Sequence, residues 1–217
     1  MWSNIEKGFQ VAFNTAWSAF VNGSIPIGAC VLNENNEVVA VGRNQVHAGG
    51  DGTISYHQLA HAEANAILEL SEVAEPNQHP NIRKYTLYTT MEPCPFCFGA
   101  IVMGSIRNVK YAARDRFAGA TALNSAIHYI KRKNIVFEGP FEDIEIVQIA
   151  LQTCFEMSSR NAEILINAWQ EDCPAGVRTG KHLYKSGDLY ALARQNVEVS
   201  VVYDFIMNHR FMIVNDM

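Results

Sequence analysis

Apolar residues recur along the chain in two alternating rhythms, and together they lay out an α/β order. Ile5, Phe9, Ala12, Phe13, Ala16 and Phe20 are spaced by three and four, which predicts an amphipathic helix over 3–22. Ser3 is its expected N-cap and Asn22-Gly23 its stop. "IPIGACVLN" and "EVVAVGR", joined by "ENN", predict an antiparallel hairpin. A Gly-rich loop, "HAGGDGT", then leads to a helix that begins near His61 and ends near Ser71. "AEPNQHPNIR" reads as a loop and "YTLYTT" as a strand. "PFCFGAIVMG" reads as a short helix and "VKYAARD" as another strand. Beyond them come a helical stretch over 123–131, a short strand over 135–137 and a long helix from Glu142.

The last residues follow a different pattern. The helical spacing continues toward Trp169, "CPAGVRTG" breaks it with Pro and Gly, and "NVEVSVVYDFI" is β-branched. The expected organisation is a main domain over 1–160 and an extension over 161–217 packed on it. Alternating strands and helices in the main part predict a layered α/β fold.

Composition narrows the function. The 217 residues carry 17 Lys and Arg against 22 Asp and Glu, a formal net charge of −5. That balance does not favour nucleic acid as the main partner, and the one basic run, Lys131-Arg132-Lys133, reads as a solvated face. No uncharged apolar run reaches the ~20 residues of a membrane helix. The start, "MWSNIEKGFQ", lacks the basic and apolar regions of a secretory signal. The expectation is a cytoplasmic protein with no membrane partner. Among the five cysteines, Cys94 and Cys97 stand as C-x-x-C, which in a reducing compartment points to metal or redox chemistry.

The C-x-x-C follows a strand and opens a helix. With Cys94 as N-cap, Pro95 falls at N1, where its missing N–H costs nothing. The two sulfurs then converge near a helix N-terminus that favours thiolate. Two thiolates half fill a tetrahedral zinc site, and His61, at the start of its own helix, is the expected third ligand. Three protein ligands leave one position for water, the catalytic arrangement. His47, His57, His79, Cys30 and Cys173 show no ligand spacing to this set. Glu63, two residues after His61, is placed to move protons without binding metal. A redox C-x-x-C or a structural half-site would leave Glu63 without a use.

H-x-E followed by P-C-x-x-C is the arrangement of zinc nucleobase deaminases. "HAE" with "EPCPFCFGAI", together with "PIGAC", "GRNQ" and "VKYAARD", resembles the cytidine and deoxycytidylate deaminase superfamily. Bacterial tRNA adenosine deaminases and compact zinc guanine deaminases are the nearest branches. The resemblance spans about residues 5–160. It implies a three-layer α/β/α cytidine deaminase-like fold around a five-stranded mixed sheet, with the C-terminal appendage outside the common core. It implies one Zn2+ per chain on His61, Cys94 and Cys97, with Glu63 as proton shuttle. The partners it implies are a small nucleobase or nucleoside and a second copy in a homodimer. Asn44 matches the residue that hydrogen-bonds the base, although a turn residue at a strand end reads equally well. The backbone N–H groups of Ala62 and Cys94 are implied as further contacts.

The substrate divides the branches. "EPCPFC" is similar to the guanine deaminase motif, and the long Gln45–Ala60 loop suggests a lid over a small ligand. Tyr56 and His57 on that loop are candidate contacts or simply solvated. Asp115 in "ARD" also occurs in tRNA adenosine deaminases, but "RFAGATAL" then departs from their pattern. Phe117 and Phe155 could stack on a base or belong to the core. The expected activity is hydrolytic deamination of a small base or nucleoside, purine favoured, with ammonia released. The alternatives are tRNA adenosine-to-inosine deamination and a non-catalytic zinc partner module.

Overall fold

A computed structural model describes residues 1–50, 53–72, 79–158 and 162–212. Five strands form one sheet: β1 (Gly28–Leu32), β2 (Val38–Arg43), β3 (Thr86–Met91), β4 (Asn108–Ala113) and β5 (Val136–Glu138). Their order is β2-β1-β3-β4-β5. β1 is antiparallel to β2 and β3, whereas β3–β4 and β4–β5 are parallel, so the sheet is mixed.

Residue alternation sorts the two faces. Cys30, Leu32 and Tyr88 enter one cluster with α1 (Lys7–Val21) and α5 (Glu142–Glu156). Ala29, Val31, Leu87 and Val109 enter another with α2 (Ala62–Glu72) and α3 (Pro95–Met103). The result is the expected three layers, helices on both faces of the sheet.

Several boundaries differ from the sequence reading. α1 starts at Lys7 rather than Ser3, because Trp2–Asn4 form a separate 3-10 turn and Trp2 N–H donates to Asp204 at 2.7 Å. Glu6 is the N-cap, but its carboxylate turns away to accept from Lys110 Nζ and from Tyr88 Oη. The stretch over 123–131 is split into a 3-10 turn, Thr121–Ser125, and one helical turn, α4 (His128–Lys131). The first half of the loop that begins at Ala74, residues 74–78, and the boundary expected at residue 160 lie outside the described residues.

The larger corrections fall after α6 (Ala162–Asp172). "CPAGVRTG" does not break a helix; it starts α7 (Pro174–Ser186), with Cys173 as N-cap and Pro174 in the first turn. Gly176 and Gly180, four apart, lie on the face turned to α5. A Cβ on Gly176 would sit 2.8 Å from Ile149 Cβ, and one on Gly180 would sit 2.6 Å from the Ala150 carbonyl oxygen. These glycines permit contact rather than end the helix. Gly187, with φ +76°, stops α7 and leads into α8 (Asp188–Arg194). The β-branched stretch is also helical, α9 (Val199–Met212). Its buried Val199, Val202, Tyr203, Ile206 and Met207 keep three- and four-residue spacing, and they join the cluster under α1. Packing on that cluster outweighs β propensity here.

Candidate metal centre and its surroundings

Two helix starts meet at one end of the sheet. His61 immediately precedes α2 and acts as its cap, its carbonyl accepting from Asn65 N–H at 3.0 Å. α2 lies unusually close to strand β2 at this point. A Cβ on Gly42 would come within 2.1 Å of the Ala62 carbonyl oxygen, so only glycine lets the first turn of α2 settle there. Cys94 caps α3 with Pro95 at N1, as its spacing predicts, and its carbonyl accepts from Phe98 N–H at 2.8 Å.

The His61 Nδ1 atom approaches Cys94 Sγ and Cys97 Sγ, each at 3.5 Å. All three potential ligand atoms lie within 4.8 Å of one another, and among the described residues no other His, Cys, Asp or Glu joins them. One imidazole nitrogen and two sulfurs, with no fourth side chain, fit a zinc site that keeps a position open. The remaining cysteines are buried elsewhere. Burial pushes Cys30 and Cys154 up to about 12 and Cys173 up to about 11.

The electrostatics favour a thiolate at Cys94 and a protonated thiol at Cys97. The adjoining Cys97 thiol brings Cys94 down to about 4, while that same contact and burial push Cys97 well above the ordinary range. The Cys94 sulfur in turn raises the His61 pKa. Glu63 is buried, and Cys97 Sγ donates to its Oε2 at 3.3 Å. Burial raises the Glu63 carboxyl pKa, which suits a group that must hold a proton and release it. Phe96 stands edge-on to the His61 ring, centroids 5.7 Å apart.

A family model for the cytidine and deoxycytidylate deaminase zinc-binding region matches residues 2–113. The chain belongs to this family. It is a zinc-dependent hydrolytic deaminase, and the His61, Cys94 and Cys97 group is able to hold the single zinc. It is 31% identical over 169 residues to tRNA-specific adenosine deaminase 2 of Xenopus tropicalis, covering 75% of this chain and 95% of that one. It is 26% identical over 168 residues to cytosine deaminase of Candida albicans, covering 77% of this chain and 95% of that protein. A solved structure of guanine deaminase from Nitrosomonas europaea shares the fold, with a TM-score of 0.51 at 19% identity over 70% of this chain and 83% of that chain. No helix among the described residues is long and apolar enough to cross a membrane.

The other expected contacts are spread around this deaminase's site. Asn44 is buried, and its Oδ1 accepts from Ser24 Oγ at 2.8 Å and from Val46 N–H at 3.1 Å. Both acceptor bonds fix the carboxamide, so the turn role is real. Ala62 is fully buried at the first position of α2, where its N–H has no intrahelical acceptor. Tyr56 is 74% exposed with φ +49°, and His57 is exposed with Nδ1 accepting from Leu59 N–H. Residues 51–52 of their loop lie outside the described residues. Phe117 is exposed. Phe155 instead packs edge-on against Phe20 under α1, centroids 6.3 Å apart, which makes it a packing residue.

Asp115 serves the loop beside the site. Its Oδ1 accepts from Phe117 N–H at 3.1 Å and from Trp169 Nε1 of α6 at 3.2 Å. Sequence reasoning missed three partners in this region. Glu92, just before the Cys-Pro turn, is buried and accepts from the N–H groups of Asp115 and Thr121 and from the Thr121 hydroxyl. Asn65 pins the long loop, its Oδ1 accepting from Ile54 N–H at 2.9 Å. Arg116 pairs with Glu171 and Asp172 at the end of α6. Glu92 opens the motif "EPCPFCFGAI" and Asn65 follows "HAE" by two residues, so both were legible as polar residues without an assigned use.

Proposed function

We propose that the protein deaminates a small purine base or nucleoside. The observation that carries the reading is the Glu63 carboxyl, buried beside a His-Cys-Cys group that has no fourth side chain. A structural zinc needs neither an acid nor an open position, so the non-catalytic module is disfavoured. His61, Cys94 and Cys97 would hold a zinc, which when bound would supply Lewis-acid activation of water at neutral pH. Glu63 accepts the proton at its carboxyl oxygen and delivers it to the leaving amine. Asn44 Nδ2 and the Ala62 N–H orient the ring, and the Cys94 N–H is a donor for the attacking oxygen. Ile54, held by Asn65, and Asp115, tied to Trp169 of α6, fix loop positions near the site, which suits a small ligand. The "EPCPFC" motif supports the purine preference.

A specific observation favours a second reading, adenosine in tRNA: the 31% identity over nearly the whole length of a tRNA-specific adenosine deaminase. Ammonia release from guanine, adenine, cytosine and their nucleosides, beside inosine formation in tRNA, separates the two. The first reading expects turnover of a free purine that Glu63→Ala removes while zinc stays bound. Turnover of tRNA alone would replace it with the second. We also propose a homodimer in the cytoplasm. Phe96 and Met103, seven residues apart on α3, are exposed apolar residues on one helix face that a second copy could cover. Sedimentation equilibrium of wild type and Met103→Glu tests the dimer, since a monomeric wild type contradicts it.

A further inference from the structure

The parallel half of the sheet has cations gathered at the end away from the metal group. The metal group lies past the C-terminal ends of β3 and β4, where Met91 pairs with Ala113. At the opposite end, Thr86, Asn108 and Val136 begin the three parallel strands side by side. The segments that enter those strands each bring cations. Arg83 and Lys84 precede β3, Arg107 directly precedes β4, and Lys131, Arg132 and Lys133 precede β5. Residues that are 50 apart in the chain thereby converge: Arg83, Arg107, Arg132 and Lys133 line one cavity of about 590 Å³ with His128, Tyr129 and Asn134.

This convergence changes the meaning of the basic run. Alone, Lys131-Arg132-Lys133 reads as a solvated face; with Arg83 and Arg107 added, it is one wall of a cationic hollow. Among the described residues, none of the four lining cations has a carboxylate in ion-pair range, although the chain carries more acids than bases. Burial, and then the Arg83 charge, lower the Arg107 pKa, as expected of cations crowded together without an anion. Holding such a cluster costs repulsion that a bound polyanion would remove.

We propose that this hollow binds the phosphate backbone of a nucleic-acid strand. Three of the four cations are arginines, whose forked donors match phosphate oxygens in pairs. Tyr129 is 49% exposed and Lys133 Nζ lies over its ring, 4.6 Å from the centroid, which sets an aromatic side chain among the cations, as in strand-binding grooves. A free small ligand would call for a mainly apolar lining, which this cavity lacks. An anionic membrane calls for an open convex surface rather than a hollow. The two ends of the sheet are one six-residue strand apart, roughly 17–20 Å. The hollow therefore anchors a strand without touching the reacting base, and it stands apart from which amine is deaminated.

The test uses the zinc-loaded protein and a labelled 20-nucleotide single-stranded RNA, followed by anisotropy. Neutralising four phosphates predicts binding that weakens about 50-fold between 50 and 200 mM salt. Arg107→Glu with Arg132→Glu is expected to weaken binding by about tenfold or more and to flatten the salt dependence, with zinc content unchanged. Arg132→Glu with Lys133→Glu, on the loop before β5, repeats the test should the Arg107 variant fold poorly. The proposal is overturned by absence of RNA binding at 50 mM salt, or by variants that bind RNA as wild type does. Displacement of RNA by equimolar AMP would assign the hollow to a free nucleotide instead, and capture by phosphatidylserine vesicles without RNA binding would assign it to a membrane.

Discussion

Two helices of this protein press so closely on their neighbours that only glycine fits between them, and they do so for different ends. α2 meets β2 over Gly42, and its first turn carries His61 and Glu63 to the metal group. α7 meets α5 over Gly176 and Gly180, and it carries no reactive group to a site. One device thus serves chemistry at one place and packing at the other. Close approach by itself says nothing of function; what the approaching turn holds decides it.

The sharpest way to break the comparison is at the chemistry that α2 carries. Glu63→Gln keeps the size of the side chain but cannot cycle a proton, and it is expected to lower kcat by about 10²- to 10⁴-fold with zinc retained. Cys97→Ser removes a ligand and is expected to lose zinc as well, read by metal analysis on the purified variant. If Glu63→Gln were fully active, α2 would be a packing helix like α7 and the distinction would fail.

The glycines come next. Gly42→Ala puts a Cβ against backbone, which cannot yield, and Gly180→Ala does the same against the Ala150 carbonyl. Overpacking of this kind costs about 1–3 kcal/mol, so both variants are expected to melt earlier. Only Gly42→Ala is expected to weaken zinc binding, because it shifts the turn that holds His61. Equal zinc affinity in the two variants would show that the α2 contact is not what positions the ligand.

The same contrast explains what could be read from sequence. His61, Glu63, Cys94 and Cys97 were legible because their chemistry depends on residue type and on spacings of two and three, which are local. The order of strands and helices through α5 was legible from clean periodicity. α7 was hidden because Pro174 and two glycines look like breakers, when the first is tolerated at a helix start and the others make room for α5. α9 was hidden because its valines favour strands, although its apolar spacing was helical throughout. The roles of Glu92 and Trp169 depend on loops that only the folded chain brings together.

A smaller effect concerns the contact between the later helices and the site. Trp169→Phe keeps the ring in its buried place and deletes one hydrogen bond to Asp115, a loss of about 0.5–1.5 kcal/mol. Because Asp115 also holds Phe117 N–H, the loop beside Cys94 is expected to loosen. The measurement is a KM rise for the purine substrate with zinc affinity unchanged. An unchanged KM would confine α6 to packing, as α7 is.

The smallest effect is read from pH. Burial raises the Asp115 pKa, and the hydrogen bonds from Trp169 and Phe117 only partly oppose it. The folded state therefore holds this proton more tightly than the unfolded chain does. Its contribution to stability is full below the ordinary aspartate value, about pH 4, and is lost as pH rises through the higher folded value. Asp115→Asn keeps an oxygen that can accept both hydrogen bonds but carries no charge to bury. Wild type is then expected to lose more stability than Asp115→Asn as pH rises from about 4 to 6, measured by urea unfolding at each pH. Parallel pH profiles would mean that the loop tied to α6 shelters no charge, and that α6 holds it through Trp169 and the Arg116 pairs alone.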